Sequence, residues 1–218
     1  MLGIGNISPM GRALVEILVL FDSKGGHVYE LAKAVAEGIK EIPGAEVRMR
    51  RVRETTPLDV IRDNEEWSKF YDFKMKEIPE AVLDDLDETD GLAIGCPTRY
   101  GNVTPAIGNF LESCGPLWVS GALVNKPAGV FASTGTMHGG NETTLISMMF
   151  PLMHLGYVIV PMGYTHPGVS ETDLGGTPYG PTSVSNKEKP GELISETETA
   201  IAKAFGKRLA EITKKLRA

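Results

Sequence analysis

Three stretches of the chain are almost unbroken runs of apolar side chains: Leu14 to Phe21 (LVEILVLF), Gly91 to Cys96 (GLAIGC) and Ala128 to Ala132 (AGVFA). Short runs without alternation suit strands buried on both faces. Ala45 to Val52 instead alternates Val47 and Met49 with Glu46, Arg48 and Arg50, as an edge strand does. A fifth strand is expected over Val158 to Met162. Between the strands the period lengthens to that of a helix. Val28, Leu31, Ala32, Val35, Ala36 and Ile39 share one helical face before Pro43-Gly44, at the i, i+3, i+4, i+7 spacing. Thr104 is placed to cap a helix with Pro105 at its first position and Ile107, Phe110, Leu111 and Cys114 facing inward, and Gly115-Pro116 is the expected stop. A helix from about Glu142 to Leu155 contains Pro151, which predicts a kink or a split. The last helix is expected from about Glu192 to Leu216, acidic at its start and basic at its end, in accord with the helix dipole.

Strands alternating with helices predict an α/β fold around a parallel sheet, because parallel neighbours need crossovers that cover both faces. No linker divides the chain, so residues 14–218 are expected to form one domain behind a flexible leader of residues 1–13. Two insertions interrupt the rhythm: the strongly charged Arg53 to Glu80, and Gly163 to Pro190, rich in Gly, Pro, Ser and Thr. Long loops in a compact domain are usually functional or contact-making.

The 218 residues are 42% hydrophobic and 23% charged, with a formal net charge of −6. Such composition excludes a disordered chain, and the acidic balance argues against a nucleic-acid partner. No stretch reaches the ~18 apolar residues of a membrane span, so integral membrane association is not expected. The two cysteines, Cys96 and Cys114, form no CxxC pair, which excludes a disulfide framework or a zinc site by spacing and suggests a cytoplasmic setting. Cys96 does not open a C-x5-R phosphatase loop either, since Asn102 stands where the arginine would be.

Three loops directly follow strands: Ser23 to Val28, Pro97 to Asn102 and Ser133 to Gly140. In open parallel sheets that is the edge where ligands bind. The first loop joins small residues and a hydroxyl to a helix N-terminus, a place where backbone N–H groups and the helix dipole converge on an anion. It is neither a GxxxxGK Walker loop nor a GxGxxG fingerprint, and a plain tight turn at Gly25-Gly26 explains it equally well in isolation. The second loop offers polar donors and an aromatic face. The glycines of the third permit close approach to a flat ring. Together the loops suit a planar heterocycle with a phosphate tail.

The segments FDSKGGHVYELAKAVAEG, GCPTRYGNV, GPLWVSGAL, FASTGTMHGGNETT, HLGYVIVPMGY and GGTPYGPTSV resemble the WrbA family of flavodoxin-like NAD(P)H:quinone oxidoreductases. The resemblance spans Val15 to Ser185, and PTRYGN with GGTPYG is its most specific part. It implies a doubly wound, flavodoxin-like five-stranded sheet of order 2-1-3-4-5 and non-covalent FMN. It also implies NADH or NADPH as hydride donor, a quinone as substrate, and a homotetramer in which neighbouring subunits complete each pocket. By motif, Ser23, Lys24, Gly25, Gly26, His27 and Val28 would hold the FMN phosphate. Pro97, Thr98, Arg99, Tyr100, Gly101 and Asn102 would border the isoalloxazine. Ser133, Thr134, Gly135, Thr136, Met137, His138, Gly139 and Gly140 would cover its other side. His154 matches a flavin-contacting histidine and Trp118 an aromatic lining the substrate space, so His154, Trp118 and Tyr100 are the candidate catalytic residues. The chain departs from the family at Gly25, where an aromatic associated with the nicotinamide nucleotide is common. An electron-transfer flavodoxin, or a regulatory flavoprotein of the tryptophan-repressor-binding type, is the alternative.

Plainer readings compete for several of these residues. His154 could cap an apolar helix, and Trp118 could be a core or interface ring. Arg48, Arg50, Arg51 and Arg53 read best as edge-strand charges. Trp67, Phe70, Tyr71 and Lys74 fall at helical spacing, which suggests a short amphipathic helix packed on its own or a neighbouring subunit.

Overall fold

A computed structural model of the chain describes residues 14–185 and 192–217; the expected leader, residues 1–13, and the end of the second insertion lie outside them. Among the described residues six strands form one sheet: β1 Val15–Phe21, β2 Ala45–Arg51, β3 Gly91–Pro97, β4 Pro127–Thr134, β5 Val158–Ile159 and β6 Thr182–Val184. The order is β2-β1-β3-β4-β5, with β6 also paired to β4, and every pairing is parallel. The sheet therefore has the expected doubly wound order, reversing between β1 and β3.

The helices are α1 His27–Lys40, α2 Leu58–Arg62, α3 Glu65–Phe73, α4 Leu83–Glu88, α5 Pro105–Glu112, α6 Gly115–Ser120, α7 Asn141–His154, α8 Gly168–Glu171 and α9 Glu196–Arg217. Successive residues of β1 feed opposite cores, as the two-residue period of a strand requires. Ile17, Val19 and Phe21 meet Leu31, Val35, Phe205 and Leu209 of α1 and α9. Leu18 and Leu20 lie in the other core with Ile107, Leu145, Met148 and Leu152 of α5 and α7. On edge strand β2, Arg48 pairs with Glu16, Asp85 and Glu88, while Arg50 pairs with Asp85. These arginines serve the sheet edge, as expected.

Four boundaries differ from the sequence pattern, each for a local reason. Thr104 caps α5 by accepting the Ile107 N–H at 3.5 Å, but Gly115-Pro116 opens α6 instead of ending the run, since proline in a first turn forfeits no helical hydrogen bond. Pro151 does not split α7, which continues to His154; Met148, Met149 and Leu152 hold it against the sheet. The last helix begins at Glu196 instead of Glu192, because Ser195 and Glu198 form a capping box, with Glu198 N–H on Ser195 Oγ at 3.2 Å and Ser195 N–H on Glu198 Oε2 at 2.8 Å. The fifth strand stops short of Met162. Val160 still donates to Ala128 O at 2.7 Å, but Pro161 has no N–H to continue the ladder, and β6 takes over the edge of β4 only at Ala132.

Replacing Thr104 by alanine should cost about 1 kcal/mol, the usual worth of an N-cap side chain. A lower urea midpoint at unchanged slope would register it.

Candidate functional site

The carboxyl ends of β1, β3 and β4 open into a cleft of about 440 Å³. In the first loop Asp22 is buried and its N–H donates to Gly95 O at 3.0 Å. Ser23 Oγ accepts the N–H of Tyr29 at 3.3 Å. Gly26 precedes α1 at φ 101°, a left-handed conformation, and a Cβ there would stand 3.0 Å from Leu193 Cδ1. Glycine is therefore the residue that lets this turn deliver the helix N-terminus to the cleft.

Lys24 is already committed. Its Nζ lies 2.9 Å from both Glu54 oxygens, 3.4 Å from Asp22 Oδ1 and 4.6 Å from the centroid of the Trp67 ring. Burial raises the Asp22 carboxyl above its usual range, an effect that Lys24 opposes only in part. Burial also pushes Glu54 upward, but hydrogen bonds from Lys24 and Thr56 outweigh it and hold Glu54 below the usual carboxylate range. His27 is pushed down by burial more than Glu66 and Glu198 raise it, which favours the neutral imidazole.

In the second loop Arg99 and Asn102 exchange backbone hydrogen bonds of 2.9 and 3.0 Å around Tyr100 and Gly101, at φ 55° and 78°. Two left-handed residues in that frame make a tight I′-type turn and leave the Tyr100 ring fully exposed. Thr98 N–H donates to Ser133 O at 2.9 Å, and Thr98 Oγ1 accepts the Gly101 N–H at 3.0 Å. The third loop is braced by Asn141, whose Nδ2 donates to Met137 O at 2.9 Å. A Cβ on Gly140 would come within 2.7 Å of Gly101 Cα, so the second and third loops touch backbone to backbone.

The sequence that builds this cleft matches a family. The sequence profile of the NADPH-dependent FMN reductases aligns with residues 15–166, from the first residue of β1 past the end of β5. The chain belongs to the NADPH-dependent FMN reductase family.

Relatives extend the match beyond the reductase profile. A protein named NAD(P)H dehydrogenase (quinone) from Geobacter metallireducens is 41% identical over 206 residues, 93% of this chain and 100% of that one. A protein of the same name from Solidesulfovibrio magneticus is 37% identical over 206 residues, 94% of this chain and 100% of that one. A flavodoxin, WrbA-like protein from Agrobacterium tumefaciens shares the fold at a TM-score of 0.65, over 92% of this chain and 98% of that one, at 18% identity.

Within this reductase-family chain, the cleft wall takes Ser23, Lys24, Gly25, His27 and Val28 from the first loop, Pro97, Thr98 and Arg99 from the second, and Ser133, Thr134 and Gly135 from the third. Gly26, Tyr100, Gly101, Asn102 and Thr136, Met137, His138, Gly139 and Gly140 belong to the same three loops but do not line the cleft. His154 and Trp118 are elsewhere. Helix α7 leaves the third loop and its 14 residues carry His154 about 21 Å back along the sheet, to the end where Val158 pairs with Pro127, the first residue of β4. Trp118, on α6, is 62% exposed and also lies outside the cleft.

Asn64, Glu66, Trp67 and Ser185 also line the cleft. The charged insertion brings in the first three: Asn64 Oδ1 accepts the Trp67 N–H at 2.9 Å and starts α3, and Phe70 packs on Tyr29 of α1 with ring centroids 5.7 Å apart. Its helical spacing was legible, and of the two packings the sequence left open, on its own or on a neighbouring subunit, Phe70 on Tyr29 shows the first. No periodicity could show that α3 folds over the first loop.

Proposed function

We propose that this chain is an FMN-dependent NAD(P)H:quinone oxidoreductase that reduces quinones to hydroquinones by two electrons. The observation that carries the reading is the cleft at the reversal of strand order, in a chain 41% identical over 93% of its length to a protein named NAD(P)H dehydrogenase (quinone). FMN suits the residues present. The α1 N-terminus supplies donors for a phosphate, and a side chain at Gly25 would meet only the His27 ring, at 3.7 Å, so the first loop is open to a ligand. Backbone N–H groups of residues 23 to 28, more than the committed Lys24 ammonium, would hold the phosphate, with Pro97 to Asn102 and Ser133 to Gly140 along the ring. Bound FMN supplies the hydride-accepting and hydride-donating chemistry. The protein's part is to orient the ring, hold the loops rigid and keep one face open beside the exposed Tyr100.

His154 and Trp118 enter this reading through assembly. A homotetramer would bring the distal end of one chain, where Trp118, Val119, Phe150 and Met153 are exposed, to the cleft of another. His154 would then contact the flavin and Trp118 line the quinone space. The two cysteines are buried and unpaired, which suits a reducing cytoplasm. Among the described residues no helix is long and apolar enough to cross a membrane.

The test is anaerobic mixing of FMN-loaded protein with NADH or NADPH while following the visible flavin band. Bleaching reversed by benzoquinone is the expected result. A flavin that stays yellow with both nucleotides would remove the dehydrogenase reading and leave an electron carrier.

A further inference from the structure

We infer that the charged insertion supplies a donor of its own to the phosphate end of the cleft: the indole N–H of Trp67 hydrogen-bonds the phosphate of bound FMN. The inference rests on the flavin reading above and adds to it a residue outside the three loops that follow strands.

Three observations converge on Trp67. Its Nε1 is shut away from solvent and has no hydrogen-bond partner, although indole nitrogen is a donor only and buried donors are nearly always paired. The residue lines the cleft together with Ser23, Lys24 and Gly25, at the N-terminus of α1. The Lys24 ammonium lies 4.6 Å from the ring centroid, and Asn64 Oδ1 fixes the backbone of Trp67 by accepting its N–H at the start of α3.

The charges around the ring leave a role for a neutral donor. Lys24 is the cation nearest to hand, yet Glu54 at 2.9 Å and Asp22 at 3.4 Å already compensate it. With Lys24 compensated, the donors beside the α1 N-terminus are neutral N–H groups, those of the loop, those of the first turn of α1 and the indole, while Arg99 is the cation of the second loop in the cleft wall. Lys24 packs against the ring, so its remaining task is to fix Trp67 in place. A side chain at Gly25 would meet only the His27 ring, at 3.7 Å, so the loop is accessible on this side, and the indole must turn its buried Nε1–H toward the phosphate when FMN binds.

Two experiments on the full-length protein, freed of flavin, test this. Trp67→Phe keeps the ring, its burial and the Lys24 contact but removes the donor. It is expected to weaken FMN binding about tenfold, the size of one hydrogen bond to a charged group, and to leave riboflavin, which lacks the phosphate, unaffected. The chain has two tryptophans, so the Trp67 indole signal in a ¹⁵N–¹H spectrum is assigned by its loss in the variant. In the unsubstituted protein that proton should move downfield on adding FMN and stay in place on adding riboflavin.

Unchanged FMN affinity in the variant, an indole signal indifferent to FMN, or equal weakening for FMN and riboflavin would each overturn the inference while leaving the flavin site standing. Absence of FMN binding by the unsubstituted protein would remove the flavin reading and this inference together.

Discussion

Glu198→Ala is expected to cost about 4 kcal/mol of folding stability, a large part of the 5–15 kcal/mol typical of a domain. Glu198 is completely buried and its carboxylate accepts three backbone hydrogen bonds from three separate places in the chain. Oε1 takes Gly175 N–H at 2.9 Å and Val184 N–H at 3.0 Å, and Oε2 takes Ser195 N–H at 2.8 Å. Truncation leaves all three donors inside the protein without acceptors, each at about 1–3 kcal/mol. The damage should reach the cleft. Val184 belongs to β6, where Ser183 Oγ meets Ser133 Oγ at 2.9 Å, and the next residue, Ser185, donates to Thr134 O at 2.8 Å and lines the wall. Urea unfolding measures the stability, and FMN titration measures the site. Glu198→Gln, which keeps the shape and one acceptor oxygen, should lose about half as much. An alanine variant within 1 kcal/mol of the unsubstituted protein would refute this account of the carboxylate.

The second large effect is expected where α1 crosses α9. A Cβ on Gly206 would lie 2.0 Å from Val35 O, and one on Gly38 would lie 1.9 Å from Lys203 O. Both obstacles are backbone, so no side chain can rotate aside and the helices themselves must separate. Alanine gains up to about 1 kcal/mol in helix propensity over glycine, but overpacking a tight contact costs about 1–3 kcal/mol or more. Gly206→Ala should therefore lose about 2 kcal/mol net, a fall in Tm of about 4–8 °C for a chain of this size. Calorimetry decides: a raised Tm would mean that the helices do not cross this closely. Because the two glycines serve one crossing, Gly38→Ala combined with Gly206→Ala should cost less than the sum of the single changes.

Strands β1, β3 and β4 were legible as apolar runs because both of their faces are buried, and β2 was legible from its charges because it is an edge. The Thr104 cap and the edge-strand role of Arg48 and Arg50 were legible too, since each depends on residue type at short range. The interrupted fifth strand was not. Its second half, Thr182 to Val184, has no apolar run, and its place on β4 depends on Glu198, 14 residues further along the chain from Val184. The S-x-x-E box at Ser195 was a visible signal, but Glu192 upstream read as the acidic start of the helix and moved the expected start four residues early.

The three loops of the cleft were legible for a related reason. Each directly follows a strand, and parallel strands put their carboxyl ends on one side, so order along the chain converts into proximity. That conversion fails for Trp67, whose insertion returns to the first loop by a path that no local pattern encodes. It fails also for Trp118 and His154, whose motifs match flavin-site residues while α6 and α7 leave them outside the cleft of their own chain.

Hydrophobic period, capping residues and charge balance were thus enough to determine the layers, the strand and helix types and the sheet edge that carries the cleft, because those properties arise from local backbone preference and one-sided burial. Which side chains share the cleft was decided only in three dimensions. Contacts such as Lys24 with Trp67 and Glu198 with Val184 form when distant segments are brought together and their buried polar groups find partners, and a linear pattern has no term for that.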